Sequence, residues 1–303
     1  MNALPINYLT RDQIDIGKWD SCIHNAFNKL PYAFSYFLDN MAPGWGALIV
    51  GDYRMVMPLT WKKKWGIKYL YQPPFIQQLG VFSNNKISGN ELASFIAAIK
   101  NQFRFAEIFL NYENLDPTAS ARQNYILPLS TGYEQLKAGY KNDLLKNLRV
   151  AAKAQIRFGE GELETSLQSY QYEYNRRLPH VKRYDYDAFR NVCLSAASNN
   201  KLIIRSAYDS DGVMLSSAIF ILDAGRLVLS LSVTTSDGRL QSANHFLLDQ
   251  VIREFAGRSI ILDFEGSEIP GIAHFYKNFG AVNQPYYFYR FNHFPWWIRI
   301  VKP

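Results

Sequence analysis

The sequence predicts a mixed α/β protein with mixed sheets, made of two halves that repeat one order of helices and strands. The chain has 303 residues, of which 48% are hydrophobic and 19% charged, which is enough for two buried cores. Gly51 and Gly212, in the two predicted hairpin turns, are 161 residues apart, and Leu110 and Leu262, in two short apolar strands, are 152 apart. A nearly constant offset of half the chain is what two copies of one unit leave.

Apolar periodicity justifies the elements in order. In the first half it predicts helices over 19–30, 32–40 and 91–103 and strands over 45–50, 54–61, 68–72 and 107–111. In the second half it predicts strands over 202–208, 213–222, 226–233, 259–264 and 286–291 and a helix over 242–255. We therefore expect an N-terminal domain over 1–135, a linking helix over 136–158 and a C-terminal domain over 159–303.

The predicted link between the halves is basic. Its cations alternate with apolar residues at helical spacing: Lys137, Lys141, Lys146, Arg149, Lys153 and Arg157. A solvated helix face accounts for each of these charges taken singly. Together, with Asp143 as the one carboxylate among them, they also fit a cationic wall that binds phosphate groups beside a cleft between the domains. Both interpretations stay open.

Charge and composition narrow the functional classes. The net charge of +7 and the pI of about 9.2 favour anionic partners such as phosphates, nucleotides, tRNA or an acidic membrane surface. The cysteines, Cys22 and Cys193, form no disulfide framework, and no Cys/His spacing is typical of a metal site. The N-terminus lacks an apolar segment of signal-peptide length, and no stretch reaches the roughly 18 apolar residues of a membrane span. We expect a cytoplasmic protein that holds no metal and does not bind DNA.

The most informative stretch lies near the C-terminus, where the strand over 259–264 leads through a polar loop to a short helix. The helix reads Ala-x-Phe-Tyr-x-x-Phe-Gly from Ala273, and Gly280 is its predicted C-cap. This pattern resembles the C-terminal motif of GNAT acyltransferases. With Asp-Phe-Glu-Gly-Ser ahead of it, from Asp263, it resembles the FemAB family more closely.

The resemblance implies two GNAT-like (acyl-CoA N-acyltransferase) domains in tandem. It also implies transfer of an acyl or aminoacyl group to an amine of a small molecule, a peptide or a cell-wall (peptidoglycan) precursor. The donor is then a co-substrate, acyl-CoA or aminoacyl-tRNA, and no cofactor is bound permanently. Two further segments resemble parts of the family that contact substrate: a segment that lines the cleft in the first domain, and the basic segment between the domains. The candidate substrate-binding residues in them are Tyr71, Gln72, Gln78, Lys146, Arg149 and Lys153.

The resemblance also suggests catalytic roles for three residues. Tyr276 matches the tyrosine that protonates the leaving thiolate in GNAT enzymes, although an aromatic ring there also serves to pack a helix on a sheet. Asp263 and Glu265 stand two residues apart at the end of a strand, so their side chains are expected to share one face. A carboxylate there fits a general base for the attacking amine, and it equally fits a capping or inter-strand hydrogen bond.

The donor loop departs from the GNAT pattern. The best match to Arg/Gln-x-x-Gly-x-Gly/Ala begins at Arg239 and has Ser242 and Asn244 in the two glycine positions. A helix N-terminus with bare backbone amides holds a pyrophosphate in that pattern. The candidate donor-binding residues are Gly238, Arg239, Gln241, Ser242 and Ala243. FemAB proteins characteristically use aminoacyl-tRNA. The loss of the two glycines is therefore informative about the donor, but it leaves both acyl-CoA and aminoacyl-tRNA open.

Two other functional classes remain as alternatives. A duplicated fold can keep its cleft to bind a glycan, lipid or peptide without turnover, and the basic helix can serve an RNA-binding module. For an enzyme, we expect backbone N–H groups of a splayed strand over 226–233 to stabilise the oxyanion. The tail over 294–302 contains two adjacent tryptophans and two cations. It is expected either to pack on the protein or to make weak peripheral contact with an anionic membrane.

Overall fold

The computed structural model describes residues 5–174, 178–266 and 268–294. The chain folds into two compact units. Unit 1 comprises residues 1–122 together with 285–303, and unit 2 comprises residues 123–284. Unit 2 is thus continuous in sequence, whereas unit 1 takes its last segment from the C-terminus of the chain.

Helices and strands follow one another along the whole chain. From the N-terminus to residue 122 they are β1 (Ile6–Thr10), α1 (Ile16–Asn25), α2 (Ser35–Met41), β2 (Gly46–Val50), β3 (Met55–Leu59), β4 (Trp61–Lys64), β5 (Ile67–Leu70), β6 (Phe82–Ser83), α3 (Gly89–Gln102), β7 (Phe105–Leu110) and β8 (Ser120–Arg122). From residue 123 they are β9 (Tyr125–Pro128), α4 (Tyr133–Ala138), α5 (Asn142–Lys153), β10 (Arg157–Glu160), α6 (Leu163–Tyr174), α7 (Arg183–Ala197), β11 (Leu202–Tyr208), β12 (Met214–Asp223), β13 (Arg226–Thr234), α8 (Ser236–Leu240), α9 (Ala243–Phe255), β14 (Ile261–Asp263), α10 (Pro270–Lys277), β15 (Val282–Asn283) and β16 (Tyr286–Asn292).

Unit 2 is built on one mixed sheet. Its strand order among the described residues is β10-β11-β12-β13-β14-β9-β15. The strands are antiparallel except for β13 and β14, which run parallel because α8 and α9 connect them. That parallel pairing extends over only three residue pairs, from Arg226 with Ile261 to Val228 with Asp263, although β13 continues to Thr234.

The core of unit 2 lies between this sheet and α9. The apolar residues of α9 recur at helical spacing, and Leu247, Val251 and Phe255 are buried. The one carboxylate that α9 buries, Asp249, accepts hydrogen bonds from the phenols of Tyr133 (2.7 Å) and Tyr140 (3.0 Å). These bonds satisfy an otherwise costly buried charge and fasten the segment before α5 to α9.

Unit 1 contains two smaller sheets. Their orders among the described residues are β1-β2-β3-β6 and β4-β5-β7-β16-β8. The buried face of α3, which begins at a capping box between Ser88 and Glu91, packs in the same core as β2, β3 and β7. The last strand, β16, lies between β7 and β8 and is therefore interior to its sheet.

The predicted mixed α/β class is confirmed, and the compact units differ from the predicted domain boundaries. The expected linking helix over 136–158 consists of α4, α5 and the start of β10, all within unit 2. Residues 125–128, expected in the first domain, form β9 in the sheet of unit 2. Residues 286–292, expected in the second, form β16 in unit 1. Pairing partners so distant in sequence leave no trace in local periodicity.

The placement of β16 makes a stability prediction. Tyr289 is 3% exposed in the core of unit 1, so Tyr289→Ala should lower the free energy of unfolding by about 3–5 kcal/mol. The neighbouring Arg290 lies on the exposed side of β16 and pairs with a half-exposed Glu107 at 3.2 Å. Arg290→Ala should therefore cost less than about 1 kcal/mol. Hydrogen exchange of Tyr289→Ala should rise in residues 5–122, and a rise confined to 123–284 would contradict this assignment.

Candidate active site

The site begins at the point where β13 and β14 separate. Beyond Val228 the edge of β13 that faces away from β12 has no strand beside it among the described residues, so its peptide groups face an opening in the sheet. A register shift between Ile219 and Phe220 pairs these residues with Leu231 and Leu229 and leaves Ser230 as a bulge in β13. Strand β13 thus separates from β14 as a splayed strand does, and its role in stabilising an oxyanion stays a prediction.

A buried ion pair holds the two strands together just before they separate. Arg226, at the start of β13, donates to Asp263, at the end of β14, at 2.7 Å, and both side chains are almost fully buried. Arg226 also donates to Gln284 (2.8 Å). The second carboxylate oxygen of Asp263 accepts from the backbone N–H of Glu265 at 3.0 Å. Both oxygens of Asp263 are thus engaged, which suits it to position Glu265.

Glu265 lies in a strained backbone conformation. Strand β14 ends at Asp263, so the alternation expected to place both carboxylates on one face does not extend to Glu265. Its φ angle is +58°, a left-handed conformation that a residue with a long side chain seldom adopts. Its backbone is fixed by the bond to Asp263 and by accepting from the N–H of Tyr125. Strain maintained by such surrounding contacts is typical of functional positions.

Tyr276 lies beside this loop, on α10. Its ring stacks on the buried Phe264, with 4.8 Å between centroids and 24° between planes. Burial, and then the nearby charge of Glu265, raise the pKa of Tyr276 well above its usual value. The phenol is therefore protonated at neutral pH. Through Phe264, Tyr276 thus lies next to the segment that carries Glu265, and the catalytic roles of both residues stay predictions.

Two tyrosines of α6 complete the surroundings of Tyr276, and sequence reasoning missed both. Tyr170 and Tyr174 are four residues apart on one helix face, with their rings 4.8 Å apart, and α6 packs against β13. Burial and neighbouring phenols raise the pKa of Tyr170, and Glu265 contributes as well. The dense tyrosines over 170–174 were the available signal, but only the fold shows which helix lies over the opening.

The predicted donor loop forms α8 and the start of α9. Gly238 is buried, and a Cβ there would collide with the carbonyl oxygen of Leu215, so the position requires glycine. Arg239 donates to the carbonyl of Thr234 (2.6 Å) and pairs with Glu173 of α6 (3.0 Å).

The cradle for a phosphate at the N-terminus of α9 is partly filled. Ser242 adopts φ +57° at the helix start, and its hydroxyl donates to Asn147 of α5 (2.8 Å) instead of capping α9. Ala243, the first residue of α9, is buried, and Gln241 is partly exposed. The bulk of Ser242 stands where the GNAT pattern has a bare glycine, so a pyrophosphate has less room here than that pattern provides.

The basic stripe consists of Lys146, Arg149 and Lys153 on α5. These side chains are exposed, whereas Leu144 and Ala151 on the opposite face are buried. Lys146 lies 3.9 Å from Asp143, and neither Arg149 nor Lys153 forms an ion pair within the described residues. Because Asn147 contacts Ser242, the stripe belongs to the helix that borders the N-terminus of α9.

The other three predicted substrate residues lie in unit 1, where they form hydrogen bonds that involve its backbone. Gln72 donates to the carbonyl of Ile76 (2.8 Å) and accepts from the N–H of Phe109 (3.2 Å). Gln78 is fully buried and accepts from the N–H of Tyr112 (3.1 Å), while the main chain of Tyr71 bonds to Thr60. These contacts fasten the loop after β5 to β7.

Three further sequence predictions concern metal sites, membrane-spanning helices and the C-terminal tail. Among the described residues, no cluster of His, Cys, Asp and Glu side chains is arranged to hold a metal ion. Within the same residues, no helix combines the length and apolarity needed to span a membrane. Phe294 stacks on Phe105 with 5.7 Å between centroids, and the tail over 295–303 lies outside the described residues.

Known structures share this architecture from end to end. FemX matches with a TM-score of 0.64 and 13% identity, covering 94% of this chain and 98% of that one. A domain assigned to a lysylphosphatidylglycerol synthetase from Agrobacterium fabrum matches at 0.56 and 10% identity, covering 90% of each chain. A tandem GNAT protein from the clavulanic acid biosynthesis pathway matches at 0.53 and 11% identity, covering 96% and 99%. The chain has a tandem GNAT fold of the FemAB type.

In this tandem GNAT fold, the C-terminal motif recognised in the sequence occupies β14, the following loop and α10. The structural similarity confirms the FemAB-like resemblance at the level of the fold. No family model matches the chain, and no curated protein sequence matches it. The assignment of Tyr276, Glu265 and the donor loop therefore depends on the geometry of this chain.

The strain at Glu265 is testable through stability. Glu265→Gly should raise the free energy of unfolding by about 1 kcal/mol, because glycine adopts positive φ without the Cβ penalty. Glu265→Gln keeps the Cβ and should leave stability unchanged. Urea unfolding of the three proteins checks this. A Glu265→Gly protein less stable than Glu265→Gln would show that the conformation is not strained.

A partly buried histidine that contacts α10 predicts a pH dependence. The His245 ring meets Phe275 edge-on with 4.8 Å between centroids, and burial lowers its pKa to about 4. As the pH falls below about 6.5, the unfolded chain takes up this proton first, so the contribution to stability is full above pH 6.5 and is lost towards pH 4.

Through His245, lowering the pH from 7 to 4.5 should reduce the free energy of unfolding of the wild-type protein by roughly 2.5 kcal/mol. His245→Gln has no proton to take up, so urea midpoints should converge at low pH. Parallel pH profiles for the two proteins would refute the assignment.

Proposed function

We propose that this protein transfers an acyl or aminoacyl group to an amine at a site in unit 2. The observation that carries the proposal is the stacking of Tyr276 on Phe264, the residue next to Glu265, at the end of β14, where β13 continues without a neighbouring strand among the described residues. The site thus offers a base, an acid and backbone N–H donors around one opening. Those are the three functions that direct attack of an amine on a carbonyl requires.

The proposed reaction needs no covalent enzyme intermediate. The acceptor reacts as the free amine: its nitrogen attacks the carbonyl carbon of the donor, and Glu265 takes one proton from that nitrogen as the new bond forms. Backbone N–H groups near the Ser230 bulge stabilise the oxyanion that forms, an effect typically worth about a hundredfold to a thousandfold in rate. As the bond from carbon to the leaving oxygen or sulfur breaks, Tyr276 donates its proton to that atom. Proton transfer from Glu265 to the phenolate, through water, restores both residues.

Among the two donor classes, we favour an aminoacyl ester carried by tRNA over acyl-CoA. The raised pKa of Tyr276 suits protonation of an alkoxide, which is a stronger base than a thiolate. Ser242 narrows the place where the coenzyme A pyrophosphate binds in the GNAT pattern. The exposed stripe Lys146, Arg149 and Lys153 supplies cations for a phosphate backbone.

The acceptor in this proposal is an amine of a small molecule, a peptide or a peptidoglycan precursor. The rings of Tyr170 and Tyr174 form an apolar wall beside Glu265, suited to the alkyl chain that carries such an amine. Either donor class is made in the cytoplasm, so we expect the reaction there.

Substitution of Tyr276 tests the proposal. Mass spectrometry of the native protein for co-purified ligand identifies the pair to assay, alongside panels of acyl-CoA and aminoacyl-tRNA. With a working pair, Tyr276→Phe should lower kcat roughly a hundredfold or more without changing the melting temperature. The control is Tyr172→Phe, an 87% exposed tyrosine of α6, which should retain wild-type kcat.

The outcomes are distinct. Equal turnover by Tyr276→Phe and wild type would remove the phenol from the mechanism. Ligand binding without turnover by any donor would identify a binding protein in place of a transferase.

A further inference from the structure

The hairpin of β4 and β5, in unit 1, carries an unusual residue at its tip. The two strands are joined by Trp65 and Gly66, whose φ angles of +52° and +79° define a type I′ turn. Asparagine or glycine is preferred at the first of these positions, because a bulky side chain is strained there. The indole is nevertheless present, and it is 78% exposed. Neither turn formation nor core packing explains this tryptophan.

Lysines surround the tip. Lys62, Lys63, Lys64 and Lys68 are all exposed. The ammonium of Lys64 lies 4.7 Å from the Trp65 ring centroid, and that of Lys68 lies 4.3 Å from the Trp61 centroid. The segment that carries the tip is basic in sequence, since residues 53–85 contain five lysines and arginines and no aspartate or glutamate. Because β4 is an edge strand, its lysines also prevent edge-to-edge pairing, but that role does not require Trp65.

We propose that this hairpin docks the protein on an anionic lipid bilayer. An indole at the tip with ammonium groups behind it matches the layers of a bilayer surface, where tryptophan lies at headgroup depth and lysine meets lipid phosphates. A nucleic-acid platform instead presents ring faces for base stacking, and Lys64 covers one face of Trp65. The proposal concerns attachment alone and does not depend on the transfer reaction.

Vesicle co-sedimentation tests the proposal with the full-length chain and no substrate. Wild type should sediment with phosphatidylcholine/phosphatidylglycerol vesicles at 50 mM salt, much less at 500 mM, and not with phosphatidylcholine alone. Trp65→Asn should weaken binding about tenfold, the effect of withdrawing one large apolar side chain. It also creates an Asn-Gly turn, which favours the hairpin and guards against loss of folding. Lys63→Gln/Lys64→Gln should weaken binding roughly 25-fold, about fivefold for each lysine.

The controls separate this hairpin from other sources of binding. Lys86→Gln/Arg183→Gln removes the same net charge at exposed positions elsewhere, and Tyr172→Ala removes another exposed aromatic ring; both should bind as wild type does. A chain ending at Phe294 should also bind. The proposal is overturned if wild type stays in the supernatant, or if Trp65→Asn binds normally while the shortened chain does not. It is equally overturned if the hairpin variants lose affinity for bulk tRNA in filter binding but not for vesicles.

Discussion

The early separation of β13 and β14 is the constraint on which the site of unit 2 depends. A parallel pair that stays together for three residues leaves the rest of β13 with no strand beside it on that side within the described part of the chain, and unpaired peptide groups are costly unless something occupies the gap. The Arg226–Asp263 pair spans the three paired positions, from the first residue of β13 to the last residue of β14. Such a buried pair is weak evidence for stability, since apolar residues often do as well, but it fixes where the strands separate.

Asp263 links this constraint to the chemistry. One of its oxygens holds Arg226 and the other holds the backbone of Glu265, so the ion pair and the left-handed turn form one unit. Between Asp263 and Glu265, the buried ring of Phe264 stacks on the ring of Tyr276 in α10. The geometry of the proposed acid and base thus depends on groups that are themselves buried, which is how a site keeps its shape without substrate.

Local sequence patterns predicted much of this fold and only part of its site. The apolar alternation over 202–208 and the helical spacing over 242–255 correspond closely to β11 and α9, because each reports one buried face. The motif around Tyr276 was recognisable because it is continuous in sequence. The pairing of β14 with β9, the packing of α6 against β13 and the left-handed turn at Glu265 could not be recognised, because each depends on partners distant in the chain.

Glu265 and Trp65 both adopt a positive φ angle that their side chains disfavour, and the surroundings of each residue decide what this strain indicates. Positive φ alone decides little, since Tyr53, Phe75 and Ala224 also adopt it. Glu265 and Trp65 differ from those three residues in the side chains that surround them. The backbone of Glu265 is fixed by Asp263 beside the partly buried Tyr276, and Trp65 is exposed among lysines with no carboxylate nearby in sequence. Where a strained backbone, an unusual side chain and a matching charge environment coincide, stability alone gives no reason for the arrangement, and an external ligand does.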